Sequence, residues 1–270
     1  MQKIKAIFKV DKPVIAMIHL QALAGTPKNN LSSEAIIKHA LDEAKTYQKS
    51  GVDALMIENM HDVPYLKNNV GHEISSLMAI IAYLIKKETK LPLGIQILAG
   101  ANKAALAVAK AANLDFIRAE GFVFAHVADE GLIEAQAAEL LRYRKQIGAE
   151  QIAIFTDIKK KHSSHQITAD VSLLDTALAA QFFLSDGVII TGNHTGDNAS
   201  TTDLKALKEK LNFPVFVGSG LTLDNLAEYY PICDAMIVGS YFKQNGYWEH
   251  AIDEKRVVLF MKKINELRNN

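Results

Sequence analysis

The chain has 270 residues, of which 49% are hydrophobic, and its 30 basic side chains balance its 30 acidic ones. This balance argues against a nucleic-acid partner and against a polybasic membrane patch. No apolar run approaches the roughly 18 residues that span a bilayer, and residues 1–10 lack the apolar segment of a signal peptide. We therefore expect a cytoplasmic protein with no membrane insertion.

Short apolar runs alternate with longer helical patterns along the chain. Each run is nearly continuous in Ile, Val, Leu, Met or Phe, which is typical of strands covered on both faces in a parallel sheet. The predicted strands begin near Val14, Asp53, Leu93, Asp115, Gln151, Asp186, Pro214 and Asp234.

The segments between these runs predict helices, because their apolar residues recur with a helical period. Helices are expected over 33–47, 103–112, 129–144, 170–183, 201–211 and 222–230, with a last helix opening at Asp253. This alternation favours an α/β fold: a single (β/α)8 TIM-barrel domain over residues 1–270, with a closed, parallel, eight-stranded sheet. A competing open sheet would need a glycine-rich turn after the first strand, which residues 20–25 do not supply.

In such a barrel the active site lies at the C-terminal rim, where the loop after each strand supplies side chains. Polar residues do follow the strands at this edge. The catalytic candidates are Asp157, Lys161, His19 and Glu58, and the candidates for substrate contact are Arg118, Asn59, Lys159, His162, Thr191 and Gly192.

Glycine–serine turns follow the last two strands. The candidate phosphate ligands are Gly218, Ser219, Gly220, Gly239 and Ser240. Glycine lets a phosphate approach the backbone closely, and the first of these turns precedes a helix that Thr222 is expected to cap. The loops after the last two strands are the usual phosphate site of this fold, so the sequence predicts a phosphate site there.

Asp157, Lys159 and Lys161 share strand parity, so in an extended chain they face the same side. A carboxylate and an ammonium that converge in a partly desolvated barrel mouth are suited to acid–base chemistry. A lysine there is alternatively suited to forming a Schiff base, and the simplest interpretation is a solvated charge run. Lys160 has the opposite parity and is expected in solvent.

Arg118 and Glu120 also share parity, which leaves two interpretations open. They form an ion pair across the rim, or Arg118 holds an anionic group of the substrate. His19, Glu58 and Asp157 have the side chains for a divalent cation, but no HExxH or CxxC spacing supports one. We expect no required cofactor and leave a divalent metal open.

Motifs at nearly every strand end carry a family resemblance. They are residues 13–20 (PVIAMIHL), 51–60 (GVDALMIENM), 115–118 (DFIR), 218–220 (GSG) and 237–240 (IVGS), with Asp157, Lys161, His162, Thr191, Gly192, Thr195, Gly196, Lys243 and Gly246. On these motifs the chain resembles the BtpA/SgcQ family over residues 12–261. The resemblance implies a barrel of the ribulose-phosphate-binding type. One branch of the family is named for photosystem I assembly, and another is similar to sugar-metabolism proteins.

The leading expectation is an enzyme that acts on a small phosphorylated metabolite, such as a sugar phosphate. Lyase, isomerase, epimerase and transferase chemistry all remain open. The alternatives are a non-catalytic assembly or stability factor for a membrane protein complex, and a metal-dependent hydrolase. The expected partner is a small phosphorylated molecule, and a homo-oligomer is left open.

Overall fold

The computed structural model describes residues 2–192 and 197–269 of the chain. Thr195 and Gly196, which contribute to the family resemblance, lie outside this range. Within it, no helix combines the length and the apolar character needed to cross a bilayer.

Eight parallel strands form a closed barrel, which confirms the predicted fold. They are β1 (Val14–His19), β2 (Ala54–Glu58), β3 (Leu93–Gln96), β4 (Phe116–Ala119), β7 (Ala153–Asp157), β9 (Gly187–Ile190), β10 (Val215–Val217) and β11 (Ala235–Val238). The last strand pairs with the first, so that Met236 lies opposite Val14. Nearly every residue of these strands is buried, which explains why the runs are almost continuously apolar.

Three short strands lie in the loops that follow β4 and β7: β5 (His126–Ala128), β6 (Gly131–Ile133) and β8 (Ser163–Ser164). They form an antiparallel sheet with β5 at its centre. The helix predicted over 129–144 is therefore wrong in its first half. Asp129 and Glu130 form the β5–β6 turn, and Gly131 follows at a φ of 99°. Glycine adopts this φ without steric cost, so turn chemistry overrides the helical periodicity.

Helices surround the barrel. They are α1 (Gln2–Phe8), α2 (Ser33–Lys49), α3 (His72–Thr89), α4 (Asn102–Ala111), α5 (Ala137–Gln146), α6 (Leu173–Phe182), α7 (Thr201–Lys210), α8 (Leu226–Tyr229) and α9 (Glu254–Asn269). Helix α8 does not begin at Thr222, as predicted. The Thr222 N–H instead donates to the Asn225 side chain at 2.9 Å, which forms a turn before the helix.

The core has two layers, one on each side of the strands. The outer layer packs the strands against the helices, and the inner layer fills the barrel. Aromatic rings dominate the inner layer: the ring centroids of Phe155 and Phe216 are 4.4 Å apart, and Phe116 lies 5.7 Å from Phe155. The part of the barrel interior near the N-terminal ends of the strands is therefore filled by side chains.

Helix α1 closes the N-terminal end of the barrel, a feature that the sequence did not indicate. Ile4 and Phe8 are buried in the inner layer. The Phe8 ring lies 5.5 Å from that of Phe116 and 6.4 Å from that of Phe216. Because the described part of the chain fills this end, the cavity described below lies at the C-terminal rim.

We expect Phe8→Ala to lower the free energy of unfolding by about 3–5 kcal/mol, because it removes a buried ring from the end of the barrel. Urea denaturation measures this loss. The control is Phe182→Ala, at a position that is 80% exposed, and its effect should stay within about 0.5 kcal/mol. Equal effects at the two positions would contradict the role assigned to α1.

Candidate functional site at the C-terminal rim

The carboxyl ends of the strands surround a cavity of about 580 Å³. One wall comes from the ends of β1, β2, β3, β4 and β7, and the other from the loops after β10 and β11. The predicted site residues that line it are His19, Glu58, Arg118, Asp157, Lys161, His162, Gly218, Ser219, Gly220, Gly239 and Ser240.

Some predicted substrate contacts lie behind the cavity wall. They are Asn59, Lys159, Thr191 and Gly192. Asn59 is buried, and its side chain donates to Asp62 at 2.9 Å and accepts from the Leu98 N–H at 2.7 Å. Lys159 turns away and donates to the Thr168 carbonyl oxygen at 2.9 Å. Both residues support loops in this structure.

Thr191 and Gly192 belong to a chain of hydrogen bonds that braces the rim from behind. The Lys161 N–H donates to the Thr191 hydroxyl at 3.3 Å, and the Gly192 N–H donates to Ser219 Oγ at 2.8 Å. The Ser219 hydroxyl in turn donates to the Asp197 carbonyl oxygen at 2.9 Å. Because this hydroxyl is engaged within the protein, Ser219 offers the cavity its backbone N–H.

The chain leaves its extended conformation after β7, because Lys159 has a φ of 47°. The parity argument therefore fails beyond Asp157. The prediction that Lys160 is solvated is wrong: its side chain is 10% exposed, and its Nζ lies 3.2 Å from Glu120 Oε1. Burial by itself lowers the pKa of Lys160, but the carboxylates of Glu120, Glu130 and Asp157 together outweigh burial, and the net shift is upward.

Arg118 and Asp157 form the central ion pair of the rim. Arg118 Nε and Nη2 donate to the two carboxylate oxygens of Asp157, each at 2.8 Å, and the side chains are 8% and 1% exposed. Burial by itself lowers the pKa of Arg118, but the Asp157 carboxylate raises it above its usual range. The partner of Arg118 is therefore Asp157, whereas Glu120 pairs with Lys160.

His19 and Glu58 form a second pair at the rim. His19 Nδ1 lies 3.2 Å from the Trp248 carbonyl oxygen, and the two can bond only if Nδ1 carries the proton. His19 Nε2 then presents a lone pair, 3.8 Å from Glu58 Oε2. Burial, reinforced by the Lys243 charge, lowers the pKa of His19 to about 3. Burial raises the pKa of Glu58, partly offset by Arg118. A neutral imidazole thus faces a carboxyl group with an enhanced tendency to hold a proton.

Lys161 is a cavity cation whose charge is poorly compensated. Burial lowers the pKa of its ammonium, and the Arg118 guanidinium lowers it further; Glu58 and Asp157 act in the opposite direction without reversing the shift. Within residues 2–192 and 197–269, no carboxylate oxygen lies within 4.0 Å of Lys161 Nζ. Its amine is therefore placed to serve as a base or as a nucleophile.

Two runs of backbone N–H groups border the opposite wall. One run covers residues 219–221 after β10, and the other covers residues 240–241 after β11. Among the described residues, none of these N–H groups has a hydrogen-bond acceptor. Successive backbone N–H groups that lack acceptors are suited to binding an anion.

The glycines of the first run are explained by packing within the protein. A Cβ on Gly218 would lie 2.6 Å from Ile189 Cγ2, and one on Gly220 would lie 2.4 Å from the Asp197 carbonyl oxygen. Gly220 also has a φ of 71°. Helix α8 begins only at Leu226 and does not present its N-terminus directly behind this turn. The case for an anion therefore depends on the N–H groups and not on the glycines.

Further lining side chains were not assigned to the site from the sequence. They include Tyr65, Gln96, Glu130 and Arg256. Gln96 had a usable signal, because it is a polar residue inside the apolar run of the third strand. The other three belong to loops and to α9, and only the tertiary structure brings those segments to the rim.

No metal centre is evident in the described part of the chain. No three His, Cys, Asp or Glu side chains are grouped there to hold a metal ion, and His19, Glu58 and Asp157 do not form such a group. Asp157 directs both carboxylate oxygens toward Arg118 instead.

Comparison with known proteins identifies the family. The BtpA family matches residues 10–266. The chain belongs to the BtpA family. One relative is an uncharacterized mitochondrial protein of Caenorhabditis elegans. It is 49% identical to this chain over 260 residues, and the alignment covers 94% of each chain. The photosystem I biogenesis protein BtpA of Synechocystis is 32% identical over 96% of this chain and 90% of its own.

Solved structures of other proteins have the same fold as this BtpA family protein. A thiamine phosphate pyrophosphorylase from Pyrococcus furiosus superposes with a TM-score of 0.58 over 95% of this chain and 96% of its own. The sequences are 13% identical, so the likeness is one of barrel architecture.

In this BtpA family protein, Asp157→Asn should lower the free energy of unfolding by about 3–5 kcal/mol, because it leaves the buried Arg118 charge uncompensated. Chemical denaturation monitored by circular dichroism measures the loss. The control is Glu150→Gln, which breaks an exposed pair with Lys145 and should cost less than about 1 kcal/mol. A loss at Asp157 as small as that of the control would show that the rim does not depend on this pair.

The low pKa of His19 predicts sensitivity to acid. Its pKa is about 3 in the folded chain against an ordinary 6.5, so between these values only the unfolded chain is protonated at this residue. The contribution of the neutral His19 imidazole to the free energy of unfolding is fully present above pH 6.5 and declines as the pH falls. Between pH 7 and pH 5 this group should account for a loss of about 2 kcal/mol.

His19→Asn should remove about that much of the pH dependence of the unfolding free energy, measured by urea titration at both pH values. Phe182→Ala provides the control, since it replaces an exposed residue without changing a titratable group and should leave the pH dependence unchanged. An unaltered pH dependence in His19→Asn would refute a neutral buried imidazole.

Proposed function

We propose that this protein is an enzyme that binds a small phosphorylated metabolite and transforms it by acid–base chemistry at the C-terminal rim. The observation that carries the proposal is one cavity with two unlike walls. One wall has backbone N–H groups that find no acceptor within the described part of the chain, and the other has ionisable side chains whose pKa values are displaced in opposite directions. The first wall suits an anion, and the second suits proton transfer.

The phosphate group would bind at the N–H groups of residues 219–221 and 240–241. A dianion can accept several hydrogen bonds at once, and backbone donors supply them without a cost in side-chain entropy. Gly239 keeps this wall close to the acid–base groups, since a Cβ there would lie 3.3 Å from His19 Nε2. The part of the metabolite next to its phosphate would then meet His19.

Proton transfer would involve Glu58, His19 and Lys161. Glu58 has a raised pKa and suits a general acid, while the neutral His19 and the Lys161 amine suit general bases. Arg118 and Asp157 would hold the geometry of this wall, because each fixes the other at two points. Groups with opposed shifts in one cavity are typical of catalytic sites.

The comparisons support the proposal through the fold. The name of the thiamine phosphate pyrophosphorylase that shares the barrel contains a phosphorylated compound. Barrels of this kind commonly hold phosphate in the loops after their last two strands, where the N–H groups of residues 219–221 and 240–241 lie.

A thermal-shift titration with inorganic phosphate and a panel of sugar phosphates tests the proposal. A ligand at about 100 times its dissociation constant should stabilise the fold by roughly 2.7 kcal/mol. Ser240→Glu should abolish the stabilisation, because its carboxylate would repel a phosphate from the N–H groups. Ser240→Ala is the matched control and should retain it, since the backbone donor is unchanged. Full stabilisation of Ser240→Glu would place the anion elsewhere.

A second candidate function is favoured by the Synechocystis relative, whose name assigns it to photosystem I biogenesis. On this alternative the protein is an assembly factor, and its outer surface rather than its rim carries the function. A strain whose chromosomal gene encodes Ser240→Glu discriminates the two functions. If this strain shows the phenotype of a deletion mutant, the enzyme is favoured. If it shows the wild-type phenotype, the assembly factor is favoured.

A further inference from the structure

Lys161 differs from the neighbouring cations of the cavity because nothing in the described protein holds its amine. Arg118 is bound by Asp157 at 2.8 Å, and Lys160 is bound by Glu120 at 3.2 Å. Lys161 Nζ forms no hydrogen bond and no ion pair with any of the described residues. A charged amine at a desolvated rim ordinarily has a partner. Because no described residue fills that role for Lys161, its amine is available to a ligand.

Lys161 lines the same cavity as the acid–base groups. Its charge interacts with those of Arg118 and Glu58, and it also acts on His19. These three residues lie at or next to the ends of three different strands, β4, β2 and β1. The backbone of Lys161 is fixed as well, since its N–H donates to the Thr191 hydroxyl. A substrate anchored on the opposite wall would therefore meet this amine.

We propose that Lys161 attacks the carbonyl carbon of a phosphorylated aldehyde or ketone and holds it as a Schiff base. The inference rests on the proposed function, because the N–H groups that bind the phosphate are what direct the carbonyl toward Lys161. It narrows the substrate class to phosphorylated compounds with a free carbonyl, such as open-chain sugar phosphates.

The step balances with groups that line the cavity. The neutral amine attacks the carbonyl carbon, the C=O π electrons move to oxygen, and one amine proton follows to give a carbinolamine. The Glu58 carboxyl then protonates the hydroxyl group, the C–O bond breaks and water leaves. The nitrogen lone pair forms the C=N bond, so that a protonated Schiff base and the Glu58 carboxylate remain. Burial raises the pKa of Glu58, which favours the protonated form that this step uses as its proton donor.

Lys160 provides an internal comparison, because it lines the same cavity one residue away. Its ion pair with Glu120 holds the proton on its amine. A protonated amine is not a nucleophile. The chemistry therefore predicts reaction at Lys161 and not at Lys160.

Borohydride trapping tests the inference on the intact protein. The protein is incubated with dihydroxyacetone phosphate or glyceraldehyde 3-phosphate, and with unphosphorylated dihydroxyacetone as the comparison. Sodium borohydride adds hydride to the Schiff-base carbon and leaves a stable secondary amine. Peptide mass spectrometry then locates the adduct. We expect adduct on Lys161 to exceed that on Lys160 by about tenfold or more, since only the free amine reacts.

The phosphorylated probes should label Lys161 more than dihydroxyacetone does, and Ser240→Glu should remove that preference. Lys161→Met should abolish the adduct, with circular dichroism as the check on folding. Glu58→Gln should slow trapping while leaving the thermal shift by inorganic phosphate in place, which separates proton supply from binding.

The absence of adduct on Lys161 with both phosphorylated probes overturns the inference, and so does equal labelling of Lys160. The thermal shift is recorded on the same samples. Stabilisation by phosphate without adduct removes the Schiff base and leaves the proposed function standing. Adduct without any stabilisation by phosphate, and without preference for phosphorylated probes, removes the phosphate site instead.

Discussion

Closure of the barrel is the constraint on which the rest of the structure depends. Once β11 bonds back to β1, all eight parallel strands must end at the same rim. The register then fixes which side chains meet: His19 lies opposite Glu58, and Glu58 lies opposite Gln96. Residues far apart in the chain thus form a ring at one depth. Backbone pairing, and not side-chain attraction, brings these groups together.

Charge compensation within that ring determines what each group can do. In a medium of low dielectric, an isolated charge is costly and a paired one is tolerated. Asp157 and Glu120 compensate Arg118 and Lys160, which fixes four of the side chains in place. The remaining groups respond to burial by shifting their protonation equilibria. Buried ion pairs and groups with shifted pKa values are therefore two outcomes of the same desolvation.

The strands were predictable because burial on both faces leaves almost no choice of residue type. The run that begins at Val14 and the run that begins at Asp234 are recognisable for that reason alone, and their alternation with helical patterns indicates the barrel. Helix α1 escaped prediction because Lys3 and Lys5 interrupt a segment of only seven residues. Its burial is apparent only once the barrel exists for it to fill.

The site was predictable as far as the strands extend and no further. His19, Glu58, Arg118 and Asp157 are the last or nearly the last residues of their strands, so parity and position locate them. Beyond Asp157 the backbone turns, and the orientation of the next three lysines depends on a local φ that no periodicity records. Glu130 depends on a hairpin that the helical pattern concealed. Where the backbone ceases to be regular, neighbouring segments decide the geometry.

Because α1 fills the N-terminal end of the barrel, it determines from which side a ligand can reach the cavity. Because Ile4 and Phe8 fill the opposite end of the barrel, on the proposed function the substrate would enter the cavity from the C-terminal rim, and the product would leave by the same side. The β5–β6 turn lines the cavity with two acidic side chains, those of Asp129 and Glu130. On the proposed function, these carboxylates would repel an incoming anion and favour its approach along the loops after β10 and β11. The phosphate group would then be the first part of the substrate to reach the backbone N–H groups of residues 219–221 and 240–241.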